Sequence, residues 1–247
     1  MIMAPFLKSV TLQGAPTEQA YPFSTALARK GFTINFDRPV TIITGENGAG
    51  KSTLVESIAL HCGFAATGGN RNHNLGQPAS DVAPLQEHLK FGWSVRVTNG
   101  FFMRAESFFN FSSYIDELAR AAGKKALRPY GGKSLHAQSH GEAFLSLFSN
   151  RMNAKGIYIL DEPEAALSPQ RQLALLAIIN ELEKTGQAQF FVATHSPLLM
   201  AYPNAQLLHI DDGEIVEKNY KATTHFQVMA RFFANPDDYI RAFLRQD

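Results

Sequence analysis

Apolar residues in this chain cluster into short runs of two kinds. Pro39-Val40-Thr41-Ile42-Ile43-Thr44, Gly156 to Leu160 and Gln189 to Thr194 are continuous and rich in β-branched or aromatic residues, which predicts strands buried on both faces. Ser52 to Cys62 instead places Leu54, Val55, Ile58 and Ala59 on one helical face, with Gly63 as a stop. Further helices are predicted over Ser139 to Met152, from Ser168-Pro169 through Glu183, and from Asn235-Pro236 through Tyr239, Ile240, Phe243 and Leu244. Ser113 with Asp116 predicts the start of another, running through Leu118 towards Ala122. Phe6 to Leu12, and the alternation of Phe32, Ile34 and Phe36, predict a small β-layer near the start. Trp93, Val95 and Val97 alternate before Asn99-Gly100 and Phe101-Phe102-Met103, which predicts a hairpin. Leu207 to Ile210 and Glu214 to Val216 predict a second hairpin around Asp212-Gly213. Strands alternating with helices define an α/β protein with a largely parallel central sheet covered by helices and an antiparallel β-layer.

Size and composition narrow the class. The chain has 247 residues, 45% of them hydrophobic and 18% charged, enough to bury one large core or two lobes. One domain is expected over 1–247, with a core lobe of about 1–62 and 150–247 and an inserted lobe of about 63–149. No apolar run approaches the roughly 20 residues of a membrane span, and the N-terminus lacks a basic-then-apolar secretory pattern. Cys62 is the single cysteine, which excludes an internal disulfide; it reads as a small core residue on the helix after residue 51. These points predict a cytoplasmic protein. A formal net charge of +1 does not demand a nucleic-acid or membrane partner.

The densest chemistry lies at Gly45-Glu46-Asn47-Gly48-Ala49-Gly50-Lys51-Ser52-Thr53, between a predicted strand and a predicted helix. Glycines let the backbone wrap phosphates with its N–H groups pointing inward, and the helix N-terminus adds partial positive charge. Lys51 can reach the β- and γ-phosphates, and the Ser52 hydroxyl can ligate Mg²⁺. The fold expected is therefore that of a P-loop nucleoside triphosphatase. Ile157-Tyr158-Ile159-Leu160-Asp161-Glu162 is an apolar strand ending in two acids. Asp161 can hold Mg²⁺ directly or through water, and Glu162 can orient or deprotonate the attacking water. The strand Phe190-Phe191-Val192-Ala193-Thr194 ends at His195, which can hydrogen-bond a γ-phosphate.

Taken in order, these segments resemble the ABC-type ATPases over nearly the whole chain, and that resemblance implies ATP with Mg²⁺ as the ligands. The family's Ser-Gly-rich signature is matched by Gln138-Ser139-His140-Gly141-Glu142, which keeps the Ser and second Gly of Leu-Ser-Gly-Gly-Gln and departs at the other three positions. The resemblance implies that Ser139 and Gly141 contact an ATP held by the opposite subunit, so that two ATPs are sandwiched in a homodimer. Where transporter members usually carry Asp, this chain has Ser168; Glu162-Pro163-Glu164 looks more like the soluble branch related to SMC, RecF and OLD-type ATPases. GENGAGKST, FMRAESFFN, YIDEL, QSHGE, LDEPEAALSP and ATHSP together resemble a family of small stand-alone bacterial ATPases. By position, Glu106 takes the place of the family's Gln that senses Mg²⁺ and water, although a surface Glu explains it equally well. Tyr21, Phe23 and Phe32 are all candidates to stack on adenine, and each also reads as core or lid.

Three uses of such a switch compete. The first is an ATPase in DNA metabolism or genome defence, with a nuclease or effector partner. Arg71, Lys124, Lys125, Arg128 and Lys133 in the two polar loops would favour DNA locally, or form a solvated face. The second is the nucleotide-binding subunit of a membrane transporter, and the third a non-catalytic nucleotide sensor. Lys51 and Asp161 lie too close in sequence, with no heptads between them, for a long coiled-coil machine.

Overall fold

The computed structural model describes residues 3–13, 20–71, 80–137, 140–151 and 155–244. Its strands, in chain order, are β1 (Leu7–Leu12), β2 (Phe32–Asn35), β3 (Val40–Gly45), β4 (Leu89–Trp93), β5 (Gly100–Arg104), β6 (Gly156–Asp161), β7 (Ala188–Ala193), β8 (Gln206–Asp211) and β9 (Glu214–Glu217). The helices are α1 (Ala26–Lys30), α2 (Lys51–His61), α3 (Phe108–Ala122), α4 (His140–Arg151), α5 (Pro169–Lys184), α6 (Pro197–Met200), α7 (Thr224–Ala234) and α8 (Pro236–Leu244). The main sheet runs β5-β6-β7-β3-β8-β9 and is parallel except for the β8–β9 hairpin at its edge. β2-β1-β4 form a separate antiparallel sheet.

Each central strand splits its side chains between two cores, because successive residues point to opposite faces. In β6, Tyr158 and Leu160 pack with Phe108, Phe144, Leu175 and Ile179 from the α3, α4 and α5 side. Ile157 and Ile159 pack with Leu54, Val55 and Ile58 of α2 and with Val10 and Ile34 of the small sheet. Helices thus close one face, and α2 backed by the antiparallel layer closes the other. This explains why β3, β6 and β7 read as unbroken apolar runs rather than alternating ones.

Two sequence expectations differ from the structure. Asn99-Gly100 does not form a hairpin: β4 joins the small sheet, while β5 pairs with β6 in the large one. Gly100 is needed there for close approach, since a Cβ would lie 1.8 Å from the carbonyl oxygen of Ile157 at a φ of +148°. Phe101 and Phe102 then face opposite cores. Helix α3 starts at Phe108, five residues before the predicted Ser113. Ser112 and Ser113 lie inside it and donate back to the carbonyls of Phe108 and Phe109. Between α2 and α3, β4 joins the small sheet and β5 the large one. The helical segment runs between β5 and β6 only.

Candidate functional site

The site forms where β3, β5, β6 and β7 end together. β3 lies between β7 and β8, and its last residue, Gly45, passes so close to β8 that a Cβ would stand 2.4 Å from the Ile210 carbonyl oxygen. The chain turns through Gly48 and Gly50 at positive φ and enters α2 at Lys51. Lys51 is buried, and its Nζ donates to the carbonyls of Gly45 and Glu46, both at 3.0 Å. Burial pushes the Lys51 pKa down, against the pull of Glu162, Asp161, Glu46 and Glu164, so four carboxylates help to keep this ammonium charged.

Ser52, one residue into α2, donates its hydroxyl to Asp161 Oδ1 at 3.1 Å. The two residues read from sequence as Mg²⁺ ligands are therefore in direct contact across 109 positions. Asp161 is buried at the end of β6, and burial raises its pKa to about 6, against the Arg104 charge and the hydrogen bonds from Ser52 and Arg104. Because that value lies above the ordinary 3.8, the cost of ionising Asp161 is absent below about pH 4 and fully present above about pH 6.

Arg104 was missed by sequence reasoning. It is the cross-strand partner of Asp161 in the β5–β6 register. Its Nε donates to Asp161 Oδ2 at 3.2 Å and its Nη2 to Glu56 Oε2 at 2.6 Å. Glu56, on α2, also accepts from the Ser80 hydroxyl at 2.5 Å. An arginine ending a buried strand was the available signal, but its partners come from two distant segments. Glu106 is exposed at the rim, 3.5 Å from Arg104 Nε. It lines one cavity of about 300 Å³ with Ser52, Arg104, Asp161 and Glu162.

Glu162 adopts left-handed backbone (φ 51°, ψ 50°), which costs a non-glycine residue on the order of 1 kcal/mol. The turn is held by the Glu162 N–H donating to the Ala193 carbonyl at 2.9 Å, and it delivers the carboxylate to the cavity. His195 Nε2 is 3.9 Å from Glu162 Oε1, beyond hydrogen-bond reach, and is buried with no partner. The backbone N–H of His195 donates to Glu164 Oε1 at 2.6 Å, so the second acid of Glu162-Pro163-Glu164 sets the histidine loop. Glu164 is another residue whose task sequence reasoning did not identify.

The remaining candidates separate. Gly141 opens α4 against Arg171 and, among the described residues, does not line the Ser52–Asp161 cavity. Ser139 lies outside the described residues. Tyr21 is exposed and its hydroxyl lies 3.4 Å from Thr53 Oγ1, beside the loop. Phe23 is buried in the core and Phe32 packs against it. Cys62 is buried, as expected, and its thiol is pushed up to about 12 by burial.

A glycine-rich turn from a central parallel strand into a helix, with a buried lysine folded over it and a Ser–Asp pair beside it, defines a P-loop nucleotide-binding protein. These groups suit Mg²⁺ and a triphosphate: two oxygen donors converge, and a lysine and an unpartnered imidazole nitrogen face the same end of the sheet. Comparison with known proteins refines the class. Residues 22–110 match the family model described as "AAA domain". Residues 143–201 match the one described as "AAA domain, putative AbiEii toxin, Type IV TA system". The chain is a nucleotide-binding protein similar to the AAA/ABC-type ATPases.

Among curated relatives it is 28% identical over 214 residues to the thiamine import ATP-binding protein ThiQ of Rhizobium meliloti, covering 78% of this chain and 89% of that protein. It is 31% identical over 179 residues to the hemin import ATP-binding protein HmuV of Streptomyces coelicolor, covering 66% and 62%. Of some other import relatives it spans only 40% to 58% of the length. A solved inward-facing ABC transporter of the metal-chelate type aligns with a TM-score of 0.50 at 14% identity over 90% of this chain and 88% of that one, a likeness of fold. No described helix is long and apolar enough to cross a membrane.

Proposed function

We propose that this chain binds and hydrolyses Mg-ATP and works as an ATP-gated homodimeric switch. The observation that carries the reading is the convergence of Lys51, the Ser52–Asp161 pair, Glu162 and the unpartnered His195 Nε2 at one end of the parallel sheet. In this reading the loop from Gly45 to Thr53 cradles the phosphates. Ser52 and Asp161, with Glu106 at the rim, hold Mg²⁺, which supplies charge stabilisation at the transferred phosphoryl group. Glu162 takes the proton of the attacking water, and His195 donates to the γ-phosphate. Tyr21, exposed beside Thr53, stacks on adenine.

Gly141 and Ser139 complete the site of a second copy in this reading. The support is that Gly141 opens a helix while standing apart from its own chain's cavity. Two self-complementary half-sites close as a two-fold dimer. The test is the oligomeric state of Glu162→Gln by light scattering with and without Mg-ATP. A dimer that appears only with ATP supports the switch; a monomer that demonstrably binds ATP overturns it.

A second reading, the ATP-binding subunit of an importer, is favoured by the curated relatives. Its signature would be ATPase activity that appears only with a membrane partner. A role in DNA metabolism or genome defence rests on the Glu162-Pro163-Glu164 motif and the second matched family model. It predicts ATPase stimulation by DNA that is lost at high salt.

A further inference from the structure

Behind His195 the structure carries chemistry that the loop, the acidic strand and the histidine loop do not use. Helix α7, far along the chain, packs its first turn into the nucleotide end of the sheet. A pocket of about 180 Å³ there is lined by Glu46 from the loop, by His195, and by His225, Val228 and Met229 from α7. The His225 and His195 rings lie 5.7 Å apart between centroids, tilted by 48°. His225 Nδ1, His195 Nε2 and Glu164 Oε2 are each buried without a hydrogen-bond partner.

Of these, the two imidazole nitrogens in one corner call for a ligand that can accept hydrogen bonds from both. Two imidazoles supply N–H donors, and Lys51 is close enough to depress protonation of His225 electrostatically. Burial is the larger cause of that depression, and His195 adds to it; Glu46 and Glu164 oppose it. A neutral imidazole still donates one hydrogen bond, which is what a phosphate oxygen needs. A cation would be expected to draw carboxylates and imidazoles into one ligand set, and no such cluster of metal ligands forms among the described residues.

We infer that His225 is a second histidine contacting the terminal phosphate of the bound nucleotide, delivered by helix α7. The inference rests on the ATP-site reading above and extends it. The nucleotide state is then felt by α7 as well as by the strand ends. A triphosphate bridges His195 and His225, whereas a diphosphate leaves both nitrogens unpartnered.

The experiment is calorimetric titration of wild type, His225→Ala and His225→Gln with Mg²⁺ and either a non-hydrolysable ATP analogue or ADP. His225→Ala is expected to weaken the triphosphate about tenfold, the scale of one hydrogen bond to a charged group, and ADP less than twofold. His225→Gln, which keeps a donor, is expected to lose less. Equal losses for both nucleotides, or none, overturn the inference. Hydrogen exchange on wild type supplies a readout free of any folding defect. Amides of residues 224–234 exchange more slowly with the triphosphate than with ADP if His225 binds the phosphate, and equally if it does not. A wild-type chain that binds neither nucleotide would remove the ATP-site reading itself. Wild-type binding with an unchanged His225→Ala removes only His225.

Discussion

Replacing Arg104 with Met tests whether the base of this site is held by a buried charge triad. The side chains of Arg104, Glu56 and Asp161 are 19%, 8% and 4% exposed, and the guanidinium bridges the two carboxylates at 2.6 and 3.2 Å. Methionine keeps much of the volume and removes the charge, leaving two carboxylates facing each other in a poorly solvated space. Breaking such a buried network by deleting one partner costs about 3–5 kcal/mol, whereas an exposed pair is worth at most about 1 kcal/mol. The lower figure, about 3 kcal/mol, corresponds to a melting-point drop of about 6–12 °C for a domain of this size. The assay is thermal and urea unfolding in metal-free, nucleotide-free buffer at pH 8. Lys184→Ala serves as the exposed control, because its partner Glu181 is 2.7 Å away but both side chains are largely in solvent.

The variant also has a pH signature. Asp161 titrates at about 6 with Arg104 present, and removing that cation raises the value further. At pH 5 Asp161 takes up a proton, one unpaired charge disappears, and the loss shrinks. Adding Glu56→Gln to Arg104→Met should likewise recover part of the stability at pH 8. A drop below about 1 kcal/mol at pH 8, or a loss that grows on acidification, would falsify the buried-triad argument.

Other outcomes follow from single contacts. Lys51→Ala removes the ammonium that bonds the Gly45 and Glu46 carbonyls and should abolish measurable Mg-ATP binding by calorimetry; wild-type affinity would refute the loop assignment. Gly45→Ala forces a Cβ against the Ile210 carbonyl at a φ of +152° and should destabilise the fold by about 2 kcal/mol or more, read by urea unfolding; a neutral effect would contradict the packing of β3 on β8. The Cys62 thiol, held near 12 against an ordinary 9.0, should carry about a thousandfold less thiolate at pH 8 than in the unfolded chain, so iodoacetamide should label it only in denaturant. Labelling within minutes in native buffer would show that the thiol is accessible.

What the sequence made legible, and what it hid, follows from how local each signal is. The loop at residues 45–53 and the strand ending in Asp161 and Glu162 are contiguous stretches whose meaning lies in adjacent residues, so both could be read in one dimension. Their contact through Ser52 and Asp161 was implied only by their shared chemistry. Arg104 was illegible because its task is set by register: it faces Asp161 across a parallel pair and Glu56 across the sheet–helix interface. The Asn99-Gly100 hairpin failed for a related reason. A dipeptide favourable for turning was outweighed by Phe101 and Phe102, which fill opposite cores and commit β5 to the central sheet. His225 lay furthest from view, in an amphipathic stretch without a motif, 30 positions after His195 by number and one ring contact away in space. The parts of the site that read as motifs are those proposed to hold the nucleotide's phosphates. The contacts of Arg104, Glu164 and His225 were found only in three dimensions: the first two lie within quoted motifs that do not reveal their partners, and the third lies in none. Variation at such positions can retune a phosphate-binding loop while leaving its sequence untouched.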